Sequence, residues 1–244
     1  MFVENPFQSN RSRNWFGLNW FLYNLKLKHK VNENSNFSFN FFGLRATRDA
    51  LGFRSNRVDQ IDSNMERDLI TGEFNNYGFE SRYLSKYKLK SRNNVLLLGM
   101  KFYNSNNESE QGPGSSGGDA DFKFYRNEFP NYFNQSKYNY PNVNYAFFGE
   151  NIFYFSENFS VTPGFRCEYI KTNSDGVYKK INVDAAGNVI LNQTIYDSEV
   201  GKRNFVLLPL FQINRTWKHP KSKVNIVSLI SSLPIKDLRS IKQI

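Results

Sequence analysis

The stretch that most limits how this chain can fold is residues 142–171, NVNYAFFGENIFYFSENFSVTPGFRCEYIK. It reads as two long strands joined by a turn at Ser156, Glu157, Asn158 and Phe159. In the second strand Val161, Pro163, Phe165, Cys167 and Tyr169 alternate with Ser160, Thr162, Gly164, Arg166 and Glu168, so one face is apolar and the other polar. Strands of about 11 to 13 residues are roughly twice the usual length in globular sheets. They match the roughly 9 to 11 residues that a tilted strand needs to cross a bilayer. The expected fold is therefore all-β, part of a transmembrane antiparallel barrel; a long hairpin in a soluble sandwich is the competing reading.

Composition supports the barrel. Of 244 residues only 39% are hydrophobic, the mean hydropathy is −0.60, and no apolar run approaches the length of a membrane-spanning helix. Yet 17% of the chain is aromatic, with 24 Phe and 14 Tyr. Aromatic strands with polar alternate positions and a hydrophilic average suit a barrel with a wet interior. The net charge of +10 is concentrated: residues 204–244 hold seven Lys or Arg against one acid, which is +6 of it. No nucleic-acid motif accompanies that charge, and no nucleic-acid partner is expected. The single cysteine, Cys167, reads as a small hydrophobe. His29 and His219 lack partners for a metal site, and no catalytic triad can be assembled, so no enzyme activity and no cofactor are expected. The N-terminus has no apolar signal-peptide core, which suggests a chain that begins inside a larger protein.

Taken in order, residues 14–31 and 37–46 predict one hairpin, residues 77–90 and 94–103 a second, and residues 142–171 a third, with one more strand from Asn204. Between them lie long polar segments at 47–76, 104–141 and 172–203, the last containing a small hairpin that turns near residues 185–188. The glycine cluster QGPGSSGG at 111–118 reads as a flexible loop, since it lacks the Lys and Ser or Thr of a phosphate loop. Short turns alternate with long loops, the asymmetry of outer-membrane barrels with tight periplasmic turns and long extracellular loops. After Phe211 the alternation fades and the sequence turns basic, which divides the chain into residues 1–210, a partial barrel, and 211–244, an atypical basic tail. A shift of reading frame near residue 210, or a truncated gene, is the expected cause.

Several passages resemble TonB-dependent outer-membrane receptors of the Bacteroidetes iron(III) dicitrate type: NPFQSNRSRNWF at 5–16, FFGLRATRDALGFRSNRVDQID at 41–62, NNYGFESRYL at 75–84, NVLLLGMKFYNSNNESEQGPGSSGGDADF at 94–122, and AFFGENIFYFSENFSVTPGFRCEYI at 146–170. The resemblance implies a barrel of about 22 strands closed around a plug. It also implies an outer-membrane location, contact with membrane lipid, and energy from a TonB complex. The TonB box, the plug and the closing strands of that pattern are not found in this sequence, so the resemblance is to the middle of such a receptor. It implies import of a ferric chelate such as iron(III) dicitrate or a siderophore, with iron as cargo. An importer of glycans or peptides on the same barrel, a nonfunctional gene remnant, and a soluble β-rich binding domain are the alternatives. A ferric citrate complex is anionic and guanidinium groups pair with carboxylates, which makes the loop residues Arg48, Arg54, Arg57 and Arg126 the candidate ligand contacts. Pairing with Asp49, Asp59, Asp62 or Asp68 to hold the loop is the competing role for the first three.

Overall fold

The computed structural model describes residues 11–55, 60–199, 201, 203–219 and 222–230. Every regular element is a strand: β1 (Trp15–Asn32), β2 (Ser35–Gly52), β3 (Asp68–Leu89), β4 (Arg92–Pro113), β5 (Ser136–Ser156), β6 (Phe159–Thr172), β7 (Ser174–Val183), β8 (Val189–Glu199), β9 (Arg203–His219) and β10 (Ser222–Ile230). They form one antiparallel sheet in the order β1-β2-β3-β4-β5-β6-β9-β10, from which β7 and β8 branch off the edge of β5. Among the described residues β1 and β10 each pair on one side only, so the sheet is open.

The connections sort by end as expected. At one end β1 passes to β2, β3 to β4, and β5 to β6 through two-residue turns. In the β3–β4 turn Lys90 and Ser91 both have positive φ, 48° and 66°, the left-handed pair that a tight hairpin needs to follow strand twist. At the other end lie the connections 53–67 and 114–135 and the β7–β8 hairpin. That hairpin turns where the sequence placed it: Gly187 takes φ 87°, and the Asp184 carboxylate accepts from the backbone N–H of Ala186 and Asn188.

The strands are longer than the alternation indicated. Residues 47–52 and 68–76, read as loop, are the upper parts of β2 and β3, and residues 104–113 and 136–141 belong to β4 and β5. There polar residues stand on both faces, so the period disappears while the ladder of backbone hydrogen bonds continues unbroken. A 22-residue strand at about 3.3 Å per residue and roughly 45° tilt rises about 50 Å, well past a hydrocarbon layer of about 30 Å. The composition change at 211 falls inside β9, which runs without a break from Arg203 to His219. Residues 231–244 lie outside the described residues.

Register assigns each strand residue to a face. Leu25, Phe41, Phe79, Phe102, Tyr145 and Tyr169 are direct neighbours across six strands. The rings of the last four are in contact, with centroids 5.6 Å apart for Phe79 and Phe102, 5.1 Å for Phe102 and Tyr145, and 6.4 Å for Tyr145 and Tyr169. Phe37, Phe39, Tyr83, Leu98, Met100, Phe147, Phe165 and Cys167 lie on the same face. Few of these side chains are covered by protein: Tyr145 is 53% exposed and Phe147 50%. A continuous apolar face of this extent is far larger than the patches soluble monomers leave open. On β3 it runs from Tyr77 to Tyr87, about 25 Å in height at the same rise and tilt, which matches the apolar band of membrane barrels.

Candidate functional site

The face opposite the aromatic band carries the charge. Reading across β1 to β6, one row is Lys26, Asn40, Glu80, Lys101, Ala146 and Glu168; the next is Lys28, Ser38, Arg82, Gly99, Phe148 and Arg166. A third is Lys30, Asn36, Leu84, Leu97, Glu150 and Gly164, and Lys86 and Lys88 share this face nearer the turns. On the turn-side half of the face, cations Lys26, Lys28, Lys30, Arg82, Lys86, Lys88, Lys101 and Arg166 stand against acids Glu80, Glu150 and Glu168. Two of the acids are paired within their own strands, Glu80 with Arg82 and Glu168 with Arg166. Arg166 also lies over Phe148 at 5.4 Å and Lys101 over Phe42 at 5.8 Å. Lys26, Ser38, Asn40, Glu80 and Arg82 border a groove of about 410 Å³. A surface with this excess of one sign, walled by low-dielectric strands, concentrates anions along it.

Toward the loop end the same face becomes neutral and hydrogen-bonding. Asn76, Ser105 and Asn142 are neighbours across β3, β4 and β5, with Asn107 and Asn144 beside them. The Oδ1 atoms of Asn76, Asn107, Asn142 and Asn144 are buried without a partner.

The loop end is held by two arginines that the sequence did not single out. Arg67 is fully buried. It donates from Nε to the Ser115 carbonyl at 3.0 Å, from Nη1 to the carbonyls of Arg13 at 3.1 Å and Asp119 at 2.7 Å, and from Nη2 to Ser115 Oγ at 2.6 Å. Arg13 pairs with both oxygens of Asp62 at 2.9 and 3.0 Å and donates to the carbonyls of Met65 and Ser116. The start of β1 and the two long loops are thus tied into one latch. The glycine cluster read as flexible belongs to it. Gln111–Pro113 end β4, and a Cβ on Gly114 would stand 2.4 Å from Leu51 Cδ1, so a larger residue there would have to displace that buried side chain.

Burial raises the pKa of Asp62, but the hydrogen bonds from Arg13 and the Asn64 N–H, with the charges of Arg13 and Arg11, outweigh it and leave the carboxyl below its ordinary value. A depressed carboxylate contributes stability that is complete above its unfolded pKa, about 3.9, and lost as the pH falls through the folded value. Protease cleavage of the loop end is therefore expected to quicken below about pH 4. Asp62→Asn is expected to cleave as fast at pH 7 as the unaltered chain does in acid.

Of the four arginines read as ligand contacts, the three among the described residues are not gathered in one place. Arg48 is on β2, on the charged face, with its guanidinium 5.8 Å from the Phe74 ring centroid. Arg54 follows β2 and lies 3.7 Å from Asp68, one of the acid pairings anticipated for it. Arg57 lies outside the described residues. Arg126 pairs with Glu110 at 2.7 Å and stacks on Phe124 at 4.2 Å. Glu110 has the register of Phe102, so Arg126 sits on the aromatic-band side, above the band. The cations of the opposite face are legible in the alternation of Lys26, Lys28 and Lys30 with Leu25, Leu27 and His29, on a strand and not in a loop.

This arrangement of strands occurs in known receptors. The sheet is similar to the crystal structure of the ferric citrate transporter FecA in its unliganded form, with a TM-score of 0.57, 13% identity, and coverage of 93% of this chain and 29% of that one. It is also similar to the ferric-catecholate import receptor Fiu from E. coli K12 in a closed form, with a TM-score of 0.58, 11% identity, and coverage of 90% of this chain and 33% of that one. The chain spans about a third or less of the length of these receptors. At such identities the likeness is one of fold: an all-β antiparallel sheet that resembles part of a TonB-receptor-like barrel. No family model matches the sequence, and no curated protein matches it. Among the described residues no group of His, Cys, Asp and Glu is placed to hold a metal ion.

Proposed function

We propose that the chain is a portion of an outer-membrane TonB-dependent receptor barrel of about 22 strands, with the aromatic face toward lipid and the charged face toward the lumen. The observation that carries this reading is the separation of the two faces by register across six strands. The aromatic face needs a non-aqueous cover, and the basic face needs water and counter-ions. Among barrel cargoes, an anionic ferric chelate such as iron(III) dicitrate or a siderophore suits the excess of cations. Lys26, Lys28 and Arg82 form the part of the lumen wall that such a chelate passes, and Arg48 and Arg54 stand nearer the mouth. Transport in this reading is binding and passage, with no covalent bond made or broken. An intact receptor would draw its energy from a TonB complex.

The test is equilibrium binding of ferric dicitrate to the chain in detergent micelles, followed by the fluorescence of Trp15 and Trp20. Saturable binding is expected, weakened about tenfold or more in a Lys26→Gln, Lys28→Gln, Arg82→Gln triple variant, since each lost charged contact is worth about 1.5 kcal/mol or more. Binding of neutral maltodextrins in place of ferric dicitrate, unaffected by the triple variant, would favour the glycan importer and contradict the ferric reading.

A further inference from the structure

β7 and β8 stand outside the wall of the sheet. The ladder of β5 with β6 ends at Asn142 and Thr172, and that of β6 with β9 at Lys171 and Arg203. Beyond that level β7 takes the edge of β5 over Ser136 to Asn139, and β8 pairs with β7 alone. The far edge of β8 is therefore open among the described residues. Closing the sheet into a barrel covers the edges of β1 and β10 but not this one, because β8 lies off the path that joins them. An open edge presents unpaired backbone N–H and C=O groups, and sheets blunt such edges with Lys, Pro or a bulge. β8 has its one irregularity at the tip: Asn182 pairs with Leu191 and Val183 with Val189, which leaves Ile190 as the extra residue, 67% exposed. From Leu191 to Glu199, LNQTIYDSE, the pairing is regular, and this run contains no Lys, Arg or Pro.

The side chains beside the edge describe what would fit it. Asn192, Thr194, Tyr196 and Ser198 stand on one face, and Leu191, Gln193, Ile195, Asp197 and Glu199 on the other. Tyr196 is 69% exposed. Asp197 accepts from the Tyr138 hydroxyl at 2.9 Å, while Glu199 at the base of the strand is exposed. A chain that adds to this edge is extended, carries uncharged β-branched or aromatic residues opposite the neutral run, and is cationic where it meets Glu199. Antiparallel addition puts that cation at the N-terminal end of the added strand. A second copy of this chain does not suit: two β8 edges pair antiparallel about a twofold axis normal to their sheet, which inverts one chain, whereas copies in one membrane share an orientation.

We propose that the outer edge of β8 takes an extended segment of an external polypeptide as an added antiparallel strand, uncharged opposite Leu191 to Tyr196 and with Lys or Arg opposite Glu199. The pairing needs only the open edge; that the partner is external and is not a second copy rests on the membrane orientation proposed above. The probe is a fluorescein-labelled peptide of alternating Thr and Val preceded by Arg, titrated into the full chain in detergent micelles. Binding is followed by anisotropy, and hydrogen exchange is resolved to single amides by NMR. Saturable binding is expected, with slowed exchange at every second amide between residues 191 and 199, the set whose N–H groups point away from β7. The same peptide N-methylated at every Thr and Val has no donors to give and is expected not to bind. Glu199→Lys is expected to weaken the Arg peptide about threefold and to strengthen a peptide with Glu in place of that Arg by a similar factor. No saturable binding, binding that leaves these amides unprotected, or equal binding of the N-methylated peptide would overturn the proposal. Self-association of the chain that protects the same amides without peptide would give the edge to a second copy and overturn it as well. A chain folded in the aqueous phase would instead contradict the membrane orientation, and the same peptide and amides decide the edge there.

Discussion

Replacing Arg67 with alanine is expected to release the loop end of the sheet. The guanidinium fork is fully buried and satisfies the carbonyls of Arg13, Ser115 and Asp119 and the Ser115 hydroxyl. Truncation removes the donor from the Arg13 and Asp119 carbonyls and the Ser115 hydroxyl, while the Ser115 carbonyl keeps the Arg67 backbone N–H; a buried acceptor left unpaired costs about 1 to 3 kcal/mol, and with Asp119 open to water a loss of about 2 kcal/mol or more is expected for the latch. Arg67→Lys keeps the charge, but a single ammonium cannot reproduce a planar fork directed at three chain segments, and it is expected to recover only a small part. Limited proteolysis is the readout: cleavage between residues 114 and 121 should become rapid in both variants while β1 to β6 remain protected. Cleavage as slow as in the unaltered chain would show that the latch is held by other contacts.

The second large effect separates two adjacent residues. Met100 lies on the aromatic face, between Ser81 and Phe147 in register, and is 45% exposed to solvent in the isolated chain. Lys101 lies on the opposite face between Glu80 and Ala146. If the aromatic face meets lipid, Met100→Arg places a charge within the hydrocarbon and costs about 2 to 4 kcal/mol. On a soluble protein, a charge at so exposed a position changes stability by about 0.5 kcal/mol or less. Lys101→Met faces water in either case and is expected to change little. Urea unfolding in lipid vesicles gives both values. Equal small effects at the two positions would remove the lipid-facing assignment.

The parts of the fold legible in the sequence are those where two solvents impose a period. Phe37, Phe39 and Phe41 against Ser38 and Asn40, or Leu96, Leu98, Met100 and Phe102 against Leu97 and Lys101, declare strands because, in the proposed orientation, lipid and water demand different side chains on alternate positions. Above the band that demand ends. The segment NSNNESEQGP is as much a strand as VLLLGMKFY before it, but its side chains are polar on both faces and its pairing is set by its neighbours' backbones. The latch was illegible for a related reason: Arg13, Asp62, Arg67 and Ser115 are far apart in sequence and sit among many other polar residues. Of the anticipated pairings, Arg54 with Asp68 formed, while Asp62 chose Arg13. The basic face was legible in the lysine alternation of β1, and the branch of β7 and β8 was not, since β7 had to be placed beside β5 first.

The most direct test of the two-faced sheet is a scan of spin labels at each position from 95 to 103 along β4, in a Cys167→Ser background with the chain in phospholipid vesicles. Collision with oxygen, which concentrates in lipid, is expected to peak at residues 96, 98, 100 and 102. Collision with a water-soluble nickel chelate is expected to peak at residues 97, 99, 101 and 103. That counter-phased period of two is what a lipid-facing aromatic band with a wet opposite face requires. Uniform access of both reagents along the strand, or a chain that stays in the aqueous phase as a folded monomer, would contradict it.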